Sequence, residues 1–271
     1  MKLSNKKVAE FQQFILQKGK ELYRPMPWRE DCNPYYILLS EIMLQQTQVP
    51  RVLVKFQEFI EAFPTLESLA NAEFFEVLSH WSGLGYNRRA KFLHQAAKEL
   101  ILLTEFPNKP EILVKLPGIG PNTAASILVY AHNSPFVFIE TNIRTVFIYM
   151  FFQDTTEKIG DDILQSLVTQ TMYSENPRQW YWALMDYGFY IKKTEGNYNR
   201  LSKKHTTQSN FEGSNRQKRA QILRFLLQSG PSSKSLIADK LTIENELVNS
   251  LLQALLQDSL IIENNGLYLI A

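Results

Sequence analysis

Cysteine is almost missing from this sequence, since Cys32 is the only one among 271 residues. A single thiol excludes an intramolecular disulfide and any zinc or iron–sulfur site built from several cysteines. Long apolar runs are missing too, because the longest, Val146–Phe152, is far shorter than the roughly 20 residues that cross a bilayer. The first 20 residues lack the apolar run of a signal peptide. We therefore expect a cytoplasmic protein without a membrane partner.

An excess of one charge is also missing, because 29 Lys and Arg stand against 27 Asp and Glu, a net charge of +2. The distribution is uneven. Between Lys192 and Arg224 there are nine basic and two acidic residues, which leaves 20 basic and 25 acidic residues elsewhere. A localised basic stretch is typical of nucleic-acid binding, with a solvated surface as the competing interpretation.

Helical periodicity dominates the first 193 residues. Apolar residues recur at three- and four-residue spacing, and Pro and Gly mark short connections between the periodic segments. No convincing series of alternating strands interrupts them. The spacing predicts an all-α body with helices over 5–23, 34–47, 50–62, 66–71, 74–80, 86–103, 110–115, 122–132, 141–151, 159–173 and 177–190.

The C-terminal part follows a different pattern. From Thr194 to Ser214 the sequence is polar, basic and rich in Gly, Asn and Ser, which predicts a linker or an extended surface segment. Three short amphipathic helices follow, the second capped by Ser232–Ser233, and then two apolar runs flank Asn265-Gly266, a strong hairpin signal. This order is typical of a winged helix-turn-helix. Its third helix begins with acidic residues that repel phosphate, so contact with DNA and contact with a protein both remain open.

The segment Leu116–Ala124, between two predicted helices, carries a specific local signal. Gly118 and Gly120 allow a tight turn, and the helix that follows directs unpaired N–H groups at an anion. The competing interpretation is an ordinary corner between two helices. The flanking Leu-Pro and Thr-Ala pairs favour a helix-hairpin-helix that binds a nucleic-acid phosphate.

Four sequence blocks in matching order make the chain resemble the helix-hairpin-helix DNA glycosylase superfamily, and within it the adenine-specific mismatch glycosylase branch. The blocks are Met26–Arg29, Ser40–Val49, Trp81–Ala90, and Leu116–Gly120 followed by Phe138–Arg144. The resemblance covers about residues 5–192. It implies a two-lobed fold, with a six-helix domain over 30–134 that contains the hairpin and a second helical domain from 1–29 and 135–193. A basic linker over 194–214 and a winged-helix-like domain over 215–271 complete the predicted organisation.

The resemblance implies three catalytic residues. Glu41 matches the general acid, and a carboxyl group set among apolar neighbours such as Ile42 and Leu44 can hold a proton near neutral pH. Glu140 stands where the family usually has an aspartate that stabilises the sugar cation, and its side chain is one methylene longer. Asn142 would orient that carboxylate or a water molecule, with helix capping as the competing role.

The resemblance also implies the DNA contacts. Six residues would contact the flipped base or the opposite strand, namely Arg29, Gln45, Gln46, Thr47, Tyr86 and Asn122. Asn122 lies where strand-cleaving members of the superfamily carry a nucleophilic lysine, so the chain is expected to be monofunctional. Contacts with the DNA backbone are expected from Gly118, Gly120, Thr123, Arg144, Lys192, Lys193, Lys203 and Lys204.

Two departures from the family are visible. Four cluster cysteines would follow Met185–Gly188, yet none is there, so we expect no iron–sulfur cluster and no other cofactor. We expect nearby lysines to contact DNA in place of the cluster loop. A winged-helix-like unit also stands where full-length adenine glycosylases carry a domain that reads 8-oxoguanine.

The leading hypothesis is a monofunctional glycosylase of base excision repair. It would act as a monomer, associated with the nucleoid, on double-stranded DNA, and remove a mismatched adenine opposite 8-oxoguanine or guanine. One alternative keeps the scaffold and changes the target to thymine or uracil. Another is a non-catalytic protein that binds DNA lesions, with a C-terminal unit that contacts DNA or a protein.

Overall fold

A computed structural model of the chain describes residues 1–207 and 210–271. The predicted all-α body with a small C-terminal sheet is confirmed. Among the α-helices, α2 was not predicted, because its four residues are too few to show a period. The helices are α1 (Asn5–Glu21), α2 (Pro27–Glu30), α3 (Pro34–Leu44), α4 (Val49–Ala62), α5 (Leu66–Asn71), α6 (Phe74–Trp81), α7 (Arg88–Leu100), α8 (Pro110–Leu113), α9 (Pro121–His132), α10 (Thr141–Phe151), α11 (Asp161–Thr171), α12 (Pro177–Thr194), α13 (Asn215–Ser229), α14 (Lys234–Leu241) and α15 (Asn245–Gln257).

The chain folds into two units. The first unit contains Met1–Glu41, Pro107–Lys115 and Ile119–Thr207, and the second contains Ile42–Phe106, Leu116–Gly118 and residues 210–271. Within the described part of the chain, no helix combines the length and the apolar composition that a membrane crossing requires.

Helices α1, α10 and α12 form the core of the first unit. Phe11 of α1 is buried between Phe147 of α10, at 5.3 Å between ring centroids, and Trp180 of α12, at 5.9 Å. Gly188 of α12 allows a close approach to α10, since a Cβ atom at this position would lie 2.3 Å from the backbone oxygen of Asn142. This packing fixes the beginning of α10, where Glu140 is the N-cap residue.

The basic segment after α12 is only partly a linker, because its first half pairs with the first unit. A short 3₁₀ helix spans Tyr198–Leu201, and Ser202 is buried behind it. The backbone of Ile159 accepts from Lys203 N at 2.9 Å and donates to Leu201 O at 2.7 Å. Residues 208–209 of the predicted linker lie outside the described residues. These hydrogen bonds join residues that are far apart in the sequence, so no local pattern signals them.

The C-terminal part of the second unit has the predicted element order. Ser233 caps α14 by accepting from the N–H of Leu236 at 3.3 Å. Strands β2 (Ile261–Asn264) and β3 (Leu267–Ile270) form the hairpin, with Asn265 and Gly266 both at positive φ. An unpredicted two-residue strand, β1 (Ser232–Ser233), adds to the sheet in the order β1-β3-β2, all antiparallel.

Candidate active site

Two carboxylates of the first unit, Glu41 and Glu140, form the centre of the candidate site. Glu41 lies on α3, and Glu140 lies directly before α10. Both are surrounded by protein on most sides and keep some accessible surface, as a group that meets a substrate must. Burial raises the pKa of Glu41 to about 8, and the negative charge of Glu140 contributes in the same direction. Glu41 therefore carries a proton at neutral pH.

Ser126 of α9 is the hydrogen-bond partner of Glu41. Its fully buried hydroxyl oxygen lies 2.5 Å from Glu41 Oε2 and 3.0 Å from the backbone oxygen of Thr123. Protonated Glu41 can donate to the Ser126 oxygen while the Ser126 hydroxyl donates to Thr123, which satisfies every group in the chain of bonds. Ser126 was not among the predicted site residues, because its partner is 85 positions away in the sequence.

Glu140 differs from Glu41 in its electrostatic surroundings. Burial raises the pKa of Glu140, but the nearby positive charge of Arg144 opposes that shift. No positively charged group is among the causes that shift the pKa of Glu41. When two neighbouring carboxyl groups have environments that separate their pKa values, one serves as acid and the other as carboxylate. In this pair, the positive charge of Arg144 favours Glu140 as the carboxylate and Glu41 as the acid.

Arg144 and Lys204, both predicted to contact DNA phosphates, form ion pairs with Asp161. Arg144 donates to both carboxylate oxygens at 2.9 Å, and Lys204 Nζ lies 3.0 Å from Oδ2. Hydrogen bonds from Arg144 are the main reason why the pKa of Asp161 falls to about 2. Lys192 and Lys193 lie exposed at the end of α12, and Lys203 is exposed too.

Arg29, predicted to contact the flipped base, is buried and forms an ion pair with Asp186. Its guanidinium donates to the two Asp186 oxygens at 2.7 and 3.1 Å, and Arg24 donates to the same carboxylate at 2.6 Å. The rings of Tyr23 and Trp182 both lie 5.5 Å from the Arg29 guanidinium carbon. Asp186 was not among the predicted site residues, although a lone acidic residue on the largely buried helix α12 indicates a buried basic partner.

Two predicted site residues, Asn122 and Asn142, are close to the segment that carries Glu140. Asn122, near the beginning of α9, donates to the backbone oxygen of Ile139 at 3.1 Å and so fixes the residue before Glu140. Asn142 lies in the first turn of α10, against Gly188.

The predicted hairpin residues lie at the beginning of α9. Gly118 has a φ of 75°, as a tight hairpin requires, and Gly120 is the N-cap residue of α9, which also contains Thr123.

In the second unit, Arg89 holds the two loops that carry Gln46 and Tyr86. Its guanidinium donates to Met43 O at 2.8 Å near the end of α3, to Gln45 O at 2.6 Å in the loop that follows, and to Gly85 O at 3.0 Å in the second loop. It also donates to the Thr47 hydroxyl at 3.0 Å. Gln46 and Tyr86 have φ angles of 57° and 48°, which are unfavourable for residues with a side chain. Such strain persists only where the surroundings enforce it, and Arg89 supplies that constraint.

The chain is similar to known proteins in both sequence and fold. Residues 39–169 match the family model described as HhH-GPD superfamily base excision DNA repair protein. Adenine DNA glycosylase of Buchnera aphidicola subsp. Baizongia pistaciae is 34% identical over 170 residues, which cover 62% of this chain and 48% of that protein. The adenine DNA glycosylase of Schizosaccharomyces pombe is 31% identical over 205 residues, covering 67% and 44%. The chain thus matches about half of the length of these relatives.

Solved structures show the same fold. A thermostable thymine-DNA glycosylase aligns with a TM-score of 0.59 at 24% identity, over 68% of this chain and 87% of that one. Endonuclease III trapped on DNA aligns with a TM-score of 0.57 at 17% identity, over 70% and 88%. This shared helical fold agrees with the match of residues 39–169 to the base excision DNA repair proteins of the helix-hairpin-helix superfamily. The two sequence relatives named above are both adenine DNA glycosylases.

Proposed function

We propose that the chain is a monofunctional DNA glycosylase of base excision repair that removes adenine from a mismatch in double-stranded DNA. The observation that carries this proposal is the buried pair of carboxyl groups, in which the charge of Glu140 raises the pKa of Glu41 and Arg144 opposes the rise at Glu140. The names of the sequence relatives support adenine as the target.

The reaction is the hydrolysis of the bond between the purine and the deoxyribose. Glu41 gives its proton to a ring nitrogen of the adenine as the C1′–N9 bond breaks, so the base leaves as a neutral molecule. The Glu140 carboxylate stabilises the positive charge that remains on the sugar. A water molecule then adds to C1′ and gives a proton to a carboxylate, which leaves free adenine and an abasic site. Asn122 has no amine that could form a Schiff base with that site, which supports a monofunctional reaction.

The family resemblance implies an iron–sulfur cluster, and the residues of this chain do not fit one. Such clusters are held by several cysteine thiolates, whereas this sequence has Cys32 alone. Burial raises the pKa of the Cys32 thiol, which opposes metal binding. Within the described residues, no group of three or more His, Cys, Asp or Glu side chains could hold a metal ion. We propose that the chain acts without a cluster, as a monomer associated with the nucleoid.

One panel of substrates tests the function. The protein is incubated with duplexes that contain A opposite 8-oxoguanine, A opposite G, T opposite G and U opposite G, and alkali then cleaves any abasic strand. We expect cleavage of the two adenine duplexes only, and only after alkali. Release of thymine or uracil instead would favour the pyrimidine-specific alternative. Binding without any release would make the chain a lesion-binding protein.

A further inference from the structure

A cleft in the second unit lies outside the carboxylate site. It has a volume of about 1080 Å³, and both the loops around Gln46 and Tyr86 and the first C-terminal helix, α13, line it. One acidic residue, Asp258, is part of the lining. The basic residues of the lining are Arg51, Arg88, Arg89, Arg216, Arg219 and Arg224.

The positive charge of the cleft is only partly neutralised. Asp258 pairs with Arg219 and, at 3.4 Å, with Arg88. Arg51 and Arg224 are exposed, and neither forms an ion pair within the described part of the chain. A concave surface with an excess of arginine attracts an anionic polymer such as a nucleic-acid strand.

Aromatic rings and a direct contact connect α13 with the Tyr86 loop. Arg216 Nη1 donates to the Tyr86 hydroxyl at 2.8 Å, and its guanidinium carbon lies 5.9 Å from the centroid of the Tyr86 ring. Phe211 also lines the cleft and is 55% exposed. Aromatic faces beside arginine side chains are the usual combination for stacking bases and contacting phosphates of a single strand.

Within residues 215–271, the distribution of charge favours α13 as the part that contacts DNA, rather than α15 and the hairpin. Residues 241–271, which include α15 and the hairpin, contain four acidic residues and no Lys or Arg. Residues 215–229, which form α13, contain four basic residues and no acidic one. A DNA contact of this unit therefore falls on α13, which is the helix that lines the cleft.

We propose that this cleft binds the DNA strand opposite the base that is removed. Arg216 is a positioning residue that holds the Tyr86 ring, while Arg51 and Arg224 contact phosphates. The proposal rests on the proposed function, which supplies a flipped base and hence an opposite strand. It gives the C-terminal unit a role in DNA recognition through its first helix.

Binding measurements test the cleft separately from catalysis. Affinities are measured by fluorescence anisotropy with a duplex that contains A opposite G, in a Glu41→Gln background that leaves the DNA intact. We expect Arg216→Ala and Arg224→Ala each to weaken binding by about fivefold or more, whereas Lys218→Ala, on the same helix but outside the cleft lining, changes it less than about twofold. Tyr86→Phe should reproduce the Arg216→Ala effect, and combining the two should add little.

Equal affinities for Arg216→Ala, Arg224→Ala and Lys218→Ala would overturn the proposal and leave α13 as a packing element. Arg216→Lys, which keeps the charge, serves as the second variant if the alanine form is unstable. The outcome is distinct from failure of the proposed function. A parent protein that releases no base, with binding losses confined to the cleft variants, refutes the function and supports the cleft. Base release with no cleft-specific binding loss does the opposite.

Discussion

At the scale of single residues, the proposed function makes base release depend on the proton of Glu41. Glu41→Gln keeps the shape of the side chain and removes the acidic proton, so we expect base release to fall by roughly 10²- to 10⁴-fold while DNA binding survives. Single-turnover assays on the A·G duplex measure the loss. Glu10→Gln on α1, an exposed glutamate, is the matched control. A Glu41→Gln rate within about tenfold of the parent would remove Glu41 from the acid role.

The two carboxyl groups also predict the pH dependence of the rate. Base release should decline as pH rises through about 8, because Glu41 then loses its proton. It should decline at acidic pH as well, because Glu140, whose pKa is raised, becomes protonated and can no longer stabilise the sugar cation. Single-turnover rates from about pH 5 to about pH 10 should therefore follow a bell. A rate that continues to rise above about pH 9 would contradict this assignment of the proton.

Sequence reasoning could place the main groups of the site but not their partners. Glu41 and Glu140 follow from motifs that are short and continuous. Ser126, the hydrogen-bond partner of Glu41, and Asp186, which lies 157 positions from Arg29, are brought in by tertiary packing. Local periodicity contains no information on such distant pairs, which is why both were missed.

At the scale of secondary-structure elements, the close contact of α12 with α10 positions Glu140. Gly188→Ala would place a Cβ atom 2.3 Å from the Asn142 oxygen, which belongs to the backbone and cannot rotate away. We expect α10 to shift, with a loss of about 1–3 kcal/mol in the free energy of unfolding and a large loss of base release. Thermal unfolding and the single-turnover assay measure both. An unchanged rate would show that Glu140 tolerates movement of its helix.

The two loops held by Arg89 give a second prediction at this scale. A lysine cannot reproduce the planar set of hydrogen bonds that Arg89 makes to both loops, so Arg89→Lys should relax the strained Gln46 and Tyr86 backbones. We expect discrimination between mismatched and matched duplexes to fall by about tenfold, because phosphate contacts elsewhere remain. Lys98→Arg, at an exposed position of the same helix outside the cleft lining, is the control. Equal discrimination in both variants would refute the positioning role of Arg89.

The length of an element determines whether its sequence pattern predicts it. Long amphipathic helices such as α4 and α7 repeat their apolar face often enough to be recognised. The four-residue α2, the two-residue β1 and the 3₁₀ helix at Tyr198–Leu201 are too short for any period. The pairing of Ile159 with Leu201 and Lys203 is likewise invisible in the sequence.

At the scale of the whole molecule, the basic residues after α12 predict how binding depends on salt. Neutralising Lys192, Lys193, Lys203 and Lys204 together should weaken binding to damaged and undamaged duplexes alike. Each lost phosphate contact should reduce the slope of log K against log salt by about 0.9. Lys204 should contribute least, because Asp161 already lies 3.0 Å from its ammonium group. A variant that lacks Lys2, Lys6, Lys7 and Lys20 removes equal charge elsewhere, and an equal slope in both variants would contradict the prediction.

The carboxyl pair also affects the folding equilibrium. The pKa of Glu41 is 4.5 in the unfolded reference and about 8 in the native state, so the native protein binds more protons between these values. Folding then takes up protons, and the free energy of unfolding decreases as pH rises through this window. Asp161, with its lowered pKa, acts in the opposite direction only at more acidic pH. Glu41→Gln should therefore unfold at a higher urea concentration than the parent near pH 8. The carboxyl group that supplies the proposed catalytic proton thus lowers the free energy of unfolding at this pH.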